Sequence, residues 1–223
     1  VIADSAGDDL LRGISNGEVW EEVIAPGALV LRQYAVNQAA GLLRSVEQIT
    51  ARSPFRHMQT PGGFTMSVGL SSCGQYGWVS DRRGYRYTES DPLTGQPWPE
   101  MPESFRELAV HAARRAGYAH FEPDACLINC YQPGTKMALH QDKNERDFSA
   151  PIVSVSLGVP ANFRFGGTQR SDKPLKIPLA HGDVVVWGGV SRLNFHGVLT
   201  LRKACHPLTG DQRINLTFRK VSG

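Results

Sequence analysis

The stretch "ALHQDKNE", residues 138–145, places His140 and Asp142 two positions apart, with Asn144 two further on. On a β-strand, residues i and i+2 point to the same face about 6.6 Å apart. An H-x-D pair can therefore converge on one ion. A mononuclear iron site of the two-histidine, one-carboxylate kind takes its protein ligands from one side of the metal and leaves other positions open. The motif alone is weak, because three H-x-[DE] pairs occur: His120/Glu122, His140/Asp142 and His181/Asp183. The first sits in "GYAHFEP", beside a proline, and reads as a surface turn. The third, in "AHGDVVVW", reads as the turn that launches a buried strand. His140/Asp142 lies at the end of a strand candidate, where sites open. A third ligand must come from elsewhere, and His196 in "RLNFHGV" is the candidate, with a purely structural histidine as the alternative. Two histidines and a carboxylate would equally suit zinc with an open fourth position, as in a hydrolase.

The stretch "RINLTFRK" says more. Arg213, Asn215, Thr217 and Arg219 alternate with Ile214, Leu216 and Phe218, which on a strand puts two guanidiniums, an amide and a hydroxyl on one face. Arginine forks bind carboxylates bidentately, so this face suits a small dicarboxylate. A half-exposed strand with a solvated polar face is the plainer reading. In "LINCY", Asn129 and Tyr131 share one face and Cys126, Ile128 and Cys130 the other. Asn129 and Tyr131 can bond the same carboxylate or line its pocket. A third feature is the segment from Arg52 to Arg86, where Arg52, Arg56, Arg82, Arg83 and Arg86 stand against Asp81 alone. Phe64, Tyr76, Trp78, Tyr85 and Tyr87 interleave with them. Cations for phosphate and flat rings for stacking suit single-stranded or flipped-base nucleic acid, against a solvated loop with anchoring aromatics.

These groups need elements to hold them. A chain of 223 residues with 41% apolar content has room for one large core. Its net charge of +3 permits an anionic partner without demanding one. The four cysteines, Cys73, Cys126, Cys130 and Cys205, form no C-x-x-C pair, which argues against a thiolate zinc site or a disulfide scaffold. The acidic opening "VIADSAGDDLLRG" does not read as a signal peptide, and no apolar run reaches the roughly 18 residues of a membrane span. The expectation is a cytoplasmic, non-membrane protein with a loosely ordered N-terminus over residues 1–20.

"ALVLRQY" (28–34) reads as a strand and "NQAAGLLRSVEQITAR" as a helix capped by Asn37, with Leu42, Leu43, Val46 and Ile49 on one face. A second helix has capping-box spacing at Ser104 and Glu107, Leu108 and Ala112 at helical period, and Gly117 to close it. Short strands in "TMSVGLSS" and "YRYT" lie between. From residue 124 onward, "ACLINCYQ", "KMALHQD", "PIVSVSLGVP", "NFRFGG", "DVVVWGG", "NFHGVL" and "RINLTFRK" are strand candidates separated by turns. The expected fold is mostly β with flanking helices (α+β): an antiparallel jelly roll with the helices packed outside one sheet.

With H-x-D…H, R-x-N-x-T-x-R, the upstream N-x-Y and "GDVVVWGG" in place, the chain resembles the AlkB family of iron(II)/2-oxoglutarate dioxygenases, and within it the bacterial repair demethylases. The resemblance runs from about residue 27 to 220 and includes "SPFRHMQTPGGFTMSV", "DPLTGQPWPEMP", "PDACLIN", "APIVSVSLG" and "SRLNFHG". It implies a single catalytic domain: a double-stranded β-helix core over about 124–220, with a nucleotide-recognition lid over about 52–90. It implies Fe(II) on His140, Asp142 and His196, and 2-oxoglutarate held by Asn129, Tyr131, Arg213, Asn215 and Arg219. Oxygen is then used to hydroxylate N-alkyl groups, as on 1-methyladenine or 3-methylcytosine in DNA or RNA, with release of aldehyde, succinate and CO2. Trp78, Tyr85, Arg86, Tyr87, Asn144 and Arg170 fall at substrate-contacting positions. The partner implied is alkylated nucleic acid, single-stranded or with the base flipped out, met by a monomer. The same chemistry on a non-nucleic-acid substrate is the alternative. The bacterial members usually carry Asp where Asn144 stands. Asn keeps an acceptor oxygen, adds NH₂ donors and removes the charge.

Overall fold

A computed structural model describes residues 19–223. The chain opens with β1 (Trp20–Ala25) and β2 (Ala28–Arg32), then α1 (Ala39–Arg52), β3 (Gly69–Gly74), β4 (Gly77–Asp81), β5 (Gly84–Thr88) and α2 (Glu103–Arg115). Strands follow without another α-helix: β6 (Ala125–Tyr131), β7 (Met137–His140), β8 (Ile152–Gly158), β9 (Ala161–Phe165) and β10 (Leu175–Leu179). The last three are β11 (Val184–Trp187), β12 (His196–Val198) and β13 (Arg213–Arg219).

Two antiparallel sheets face each other. The larger has strand order β1-β2-β11-β8-β13-β6-β3, the smaller β10-β9-β12-β7, and β4 and β5 form a separate hairpin. The expected jelly-roll sandwich is thus present. Alternation along each central strand splits the apolar residues between two cores. Val30, Ile152, Val185, Trp187, Phe163 and Phe165 fill the space between the sheets. Leu31, Val153, Val155, Ile214, Leu216 and Phe218 face the other way, onto the helices. Full burial of one such side chain contributes about 1.5–3 kcal/mol. α1 buries Ala39, Leu42, Val46 and Ile49 against this outer face, with Leu43 half-buried at its margin.

Both helix starts differ from the expectation. A short 3₁₀ turn, Val36–Gln38, absorbs Asn37, and α1 begins after Gln38 with no side-chain cap. Pro102 stands at the start of α2 and Ser104 already lies inside it, so the Ser104/Glu107 box does not form. The C-terminal expectation holds. Gly117, at φ +91°, lets the Gly117 N–H reach Arg114 O at 3.0 Å and the Tyr118 N–H reach Ala113 O at 2.9 Å, the two bonds of a Schellman closure. The N-terminal expectation for residues 1–20 falls almost wholly outside the described residues, and Trp20 itself opens β1. β4 and β10 gave no separate signal in the sequence. No helix among the described residues is long and apolar enough to cross a membrane.

Candidate active site

β7 and β12 are neighbours in the smaller sheet, and their register sets His140 opposite His196. The two rings lie 4.4 Å apart at their centroids. β7 ends at His140, so Asp142 is not on the strand as the spacing suggested. It sits in the loop just beyond, with Oδ1 3.7 Å from His140 Nε2 and Oδ2 3.7 Å from His196 Nε2. The ligand atoms of His140, Asp142 and His196 all fall within 4.8 Å of one another. Each imidazole has its Nδ1 against a carbonyl two residues earlier: His140 on Ala138 O at 2.9 Å, His196 on Asn194 O at 3.0 Å. Donation from Nδ1 fixes the tautomer and leaves the Nε2 lone pair free for a metal. Burial, with the neighbouring His196, lowers the His140 pKa to about 4, which also keeps that ring neutral.

The other H-x-[DE] pairs are elsewhere. Asp183 accepts from Arg32 Nη1 at 2.6 Å, Gln33 N at 2.9 Å and Ala180 N at 2.9 Å, and so holds a turn. His120 and Glu122 are exposed beyond α2.

The polar face of β13 points between the sheets, and all seven of its residues are buried. The half-exposed reading therefore fails. Arg219 donates Nε and Nη2 to Asp142 Oδ2 at 3.0 and 2.7 Å. Burial alone would protonate Asp142, but Arg219 and the two histidines outweigh it and hold the carboxyl well below its usual range. Asn215 is fully engaged within the protein. Its Nδ2 donates to Ser154 Oγ and Val155 O, while its Oδ1 accepts from Asn129 Nδ2 and Thr217 Oγ1. It holds Asn129 rather than offering donors of its own.

Arg213 is different. Nη2 donates to Ser156 Oγ at 3.0 Å and the guanidinium lies 4.9 Å over the Tyr131 ring. Yet Nε, Nη1 and the nearby Asn129 Oδ1 are buried without any partner among the described residues. Such orphans are rare in folded proteins and cost several kcal/mol for a charged group. They border a small cavity of about 50 Å³ that is also lined by His140 and His196.

This donor chemistry fits two groups. Two neutral imidazoles and a carboxylate on one side match a mononuclear iron centre with open positions. The unpartnered guanidinium at the far end of the cavity fits the distal carboxylate of a 2-oxo diacid.

Behind the metal ligands lies a network the sequence did not announce. Glu145 takes a 3.1 Å contact from Arg192 Nη2, a 3.5 Å contact from Arg219 Nε and a 2.6 Å hydrogen bond from the Tyr87 hydroxyl. Arg192 Nη1 also donates to Asp142 O at 2.8 Å. Glu145 closes the "ALHQDKNE" stretch, but no periodicity marks it, because the strand has already ended. Ser154 and Ser156 were also missed, although their alternation with Val153, Val155 and Leu157 on β8 could have marked them.

The lid candidates are brought to the mouth only in part. Trp78 stacks on Tyr85, with centroids 5.6 Å apart and planes 15° off parallel. Asn144 is exposed in the loop after Asp142, off the metal row, with Nδ2 3.4 Å from Tyr85 O. Tyr87 is spent on Glu145, inside the wall. Arg86 is held by Asp81 at 2.9 and 2.7 Å, and Arg56 by Asp91 through both terminal nitrogens. Asp91 thus lowers the positive excess over 52–86 by one charge, and Arg52 and Arg82 have no carboxylate partner among the described residues. Arg170 donates to Leu139 O at 2.9 Å, one residue before His140.

Fold and site together define a non-haem iron oxygenase that uses a 2-oxo acid. A profile described as the 2OG-Fe(II) oxygenase superfamily matches residues 27–219. The chain is 55% identical to the alpha-ketoglutarate-dependent dioxygenase AlkB of Escherichia coli (strain K12), over 95% of this chain and 98% of that protein. It is 26% identical to the tRNA demethylase abh1 of Schizosaccharomyces pombe, over 88% of this chain and 80% of that one. Among solved structures, OsALKBH1 superposes with a TM-score of 0.80 at 30% identity, over 90% of this chain and 99% of that one. This chain belongs to the AlkB family of the 2OG-Fe(II) oxygenase superfamily. It is an Fe(II)/2-oxoglutarate-dependent dioxygenase, and its cofactors are Fe(II), 2-oxoglutarate and O2.

Proposed function

We propose that this enzyme removes N-alkyl groups, such as those of 1-methyladenine and 3-methylcytosine, from DNA or RNA. The observation that carries the reading is the seam between the β4–β5 hairpin and the metal-ligand loop. Tyr87 bonds Glu145 at 2.6 Å and Asn144 lies 3.4 Å from Tyr85 O, so the Trp78–Tyr85 stack is fastened beside the mouth of the cavity. An aromatic pair with Tyr85 exposed and Trp78 half-buried, beside an oxidising centre, suits a flipped base. Relatives named AlkB and tRNA demethylase support the same substrate class.

In this reading His140, Asp142 and His196 hold the iron. Arg213, with Tyr131 and Asn129, holds the distal carboxylate of 2-oxoglutarate. Asn215 orients Asn129, and Arg219 orients Asp142. The bound groups supply an oxidation in which 2-oxoglutarate and O2 give succinate and CO2, and the second oxygen atom enters an N-alkyl C–H bond. The residues 52–90 act as the lid. Trp78 and Tyr85 position the base, Asn144 faces its exocyclic edge, and Arg86, Tyr87 and Arg170 shape the lid and mouth. The hydroxylated carbon leaves as an aldehyde and the base nitrogen keeps a proton.

The enzyme works as a monomer in the cytoplasm, and its four free cysteines favour the reducing compartment.

The test is O2- and 2-oxoglutarate-dependent formaldehyde release from a panel of N-methylated oligonucleotides, with His140→Ala as the blank. Turnover of methylated peptides with inert oligonucleotides would replace this reading by an oxygenase of another substrate class.

A further inference from the structure

The outer face of the smaller sheet carries a band of cations of which the chemistry above uses only Arg170. In the β9–β10 pair Arg164 stands opposite Lys176. Their strand neighbours Phe163, Phe165 and Ile177 are buried in the inter-sheet core, so alternation turns Arg164 and Lys176 outward. Like charges directly opposite each other weaken a sheet, and no contact in the fold calls for this pair.

The band extends both ways. Toward the mouth, the β9–β10 connection carries Arg170 and Lys173, and Arg170 reaches Leu139 O on the His140 strand. Away from the mouth, the chain leaving β12 stays beside β9 through Leu199 N–H to Asn162 O at 2.9 Å. It then presents Arg202 and Lys203, both exposed.

None of these six side chains is paired with a carboxylate among the described residues. Residues 161–179 hold four cations, Arg164, Arg170, Lys173 and Lys176, against Asp172, a net of +3 equal to that of the whole chain. Asp172 itself accepts from the Gln169 N–H at 2.9 Å. Within the lid, by comparison, Arg56 and Arg86 are held by Asp91 and Asp81.

We propose that this band is a track for the phosphate backbone of the nucleic-acid strand, running from the mouth over Arg164 and Lys176 toward Arg202 and Lys203. The inference rests on the nucleic-acid reading above and adds an anchoring surface away from the lesion base. Phosphates are the anions that a linear array of unpaired cations fits best, because each contact releases condensed counterions.

The double variant Arg164→Gln/Lys176→Gln tests it. Binding of a methylated 3-mer and a methylated 20-mer is read by fluorescence anisotropy across a salt series, beside formaldehyde release from each. The track predicts that the variant binds the 20-mer roughly tenfold more weakly at low salt. It also predicts a slope of log affinity against log salt smaller by about 1.4 for two lost single-strand contacts, with 3-mer turnover unchanged. An unaltered 20-mer affinity and slope, with the 3-mer still turned over, overturns the track alone. Failure of wild-type protein to turn over either oligonucleotide strikes the nucleic-acid reading instead, and the 20-mer salt slope still decides the track. If an acidic protein, not the 20-mer, loses affinity in the variant, the phosphate assignment is overturned.

Discussion

Two ends of β13 hold the same kind of residue under opposite conditions. At one end Arg219 is surrounded by Asp142, Glu145 and the Tyr87 hydroxyl, and these outweigh burial to raise its pKa. At the other, six residues earlier, Arg213 is buried with a tyrosine ring and one serine hydroxyl, and burial pushes its pKa down. The metal end is electrostatically complete before any ligand arrives, whereas the cosubstrate end is short of an anion. A buried cation without a carboxylate is tolerated where a ligand supplies the missing charge. This is why Arg213 points to 2-oxoglutarate more directly than Arg219 does.

The sharpest way to break this comparison is to remove each guanidinium in turn. Arg219→Met should cost about 3–5 kcal/mol of unfolding free energy, the usual loss when one member of a buried charge pair is deleted. Denaturant titration of metal-free protein checks it, and an undiminished midpoint would mean Asp142 does not depend on Arg219.

Arg213→Met should behave in the opposite way. Without cosubstrate its stability is expected to match or exceed wild type, since no carboxylate is left behind. Its affinity for 2-oxoglutarate should fall by about 2–5 kcal/mol. Thermal shifts with and without 2-oxoglutarate, on protein loaded with a redox-inert divalent metal, separate the two effects.

Ser156→Ala removes one hydrogen bond to Arg213, and the Km for 2-oxoglutarate should rise several-fold, about 1 kcal/mol. The smallest effect is a control outside the strand. Asn144→Asp should leave metal affinity and the Km for 2-oxoglutarate unchanged while shifting the ratio of rates on methyladenine and methylcytosine. Competition assays on the two oligonucleotides read that ratio, and an unchanged value removes Asn144 from base choice.

Much of this arrangement could be read before any coordinates. Strict alternation on β13 and β6 put Arg213, Asn215, Arg219, Asn129 and Tyr131 on common faces, because strand parity is a local property. The pairing of His140 with His196, brought together in the fold, was suggested by spacing and the family pattern. Other features were invisible for physical reasons. Asp142 reaches its position from a loop, where parity no longer applies. Glu145 and Arg192 meet across 47 positions of sequence, and no periodicity connects them. The charge of residues 52–86 is one unit less than that stretch alone shows, because Asp91, the partner of Arg56, lies beyond it. The helix starts were misplaced because Pro102 and a 3₁₀ turn took over what a capping side chain would have done.

The two histidines deserve a last comparison with their carboxylate neighbour. Each ring is oriented by the carbonyl two residues before it, so its aim is written into its own tripeptide of chain. Asp142 depends on Arg219, 77 positions away. The nitrogen ligands are thus self-contained cassettes that would keep their geometry through drift elsewhere in the chain, or transfer to another sheet. The oxygen ligand is a long-range dependency, and it is the point at which distant sequence change would first be felt by the metal.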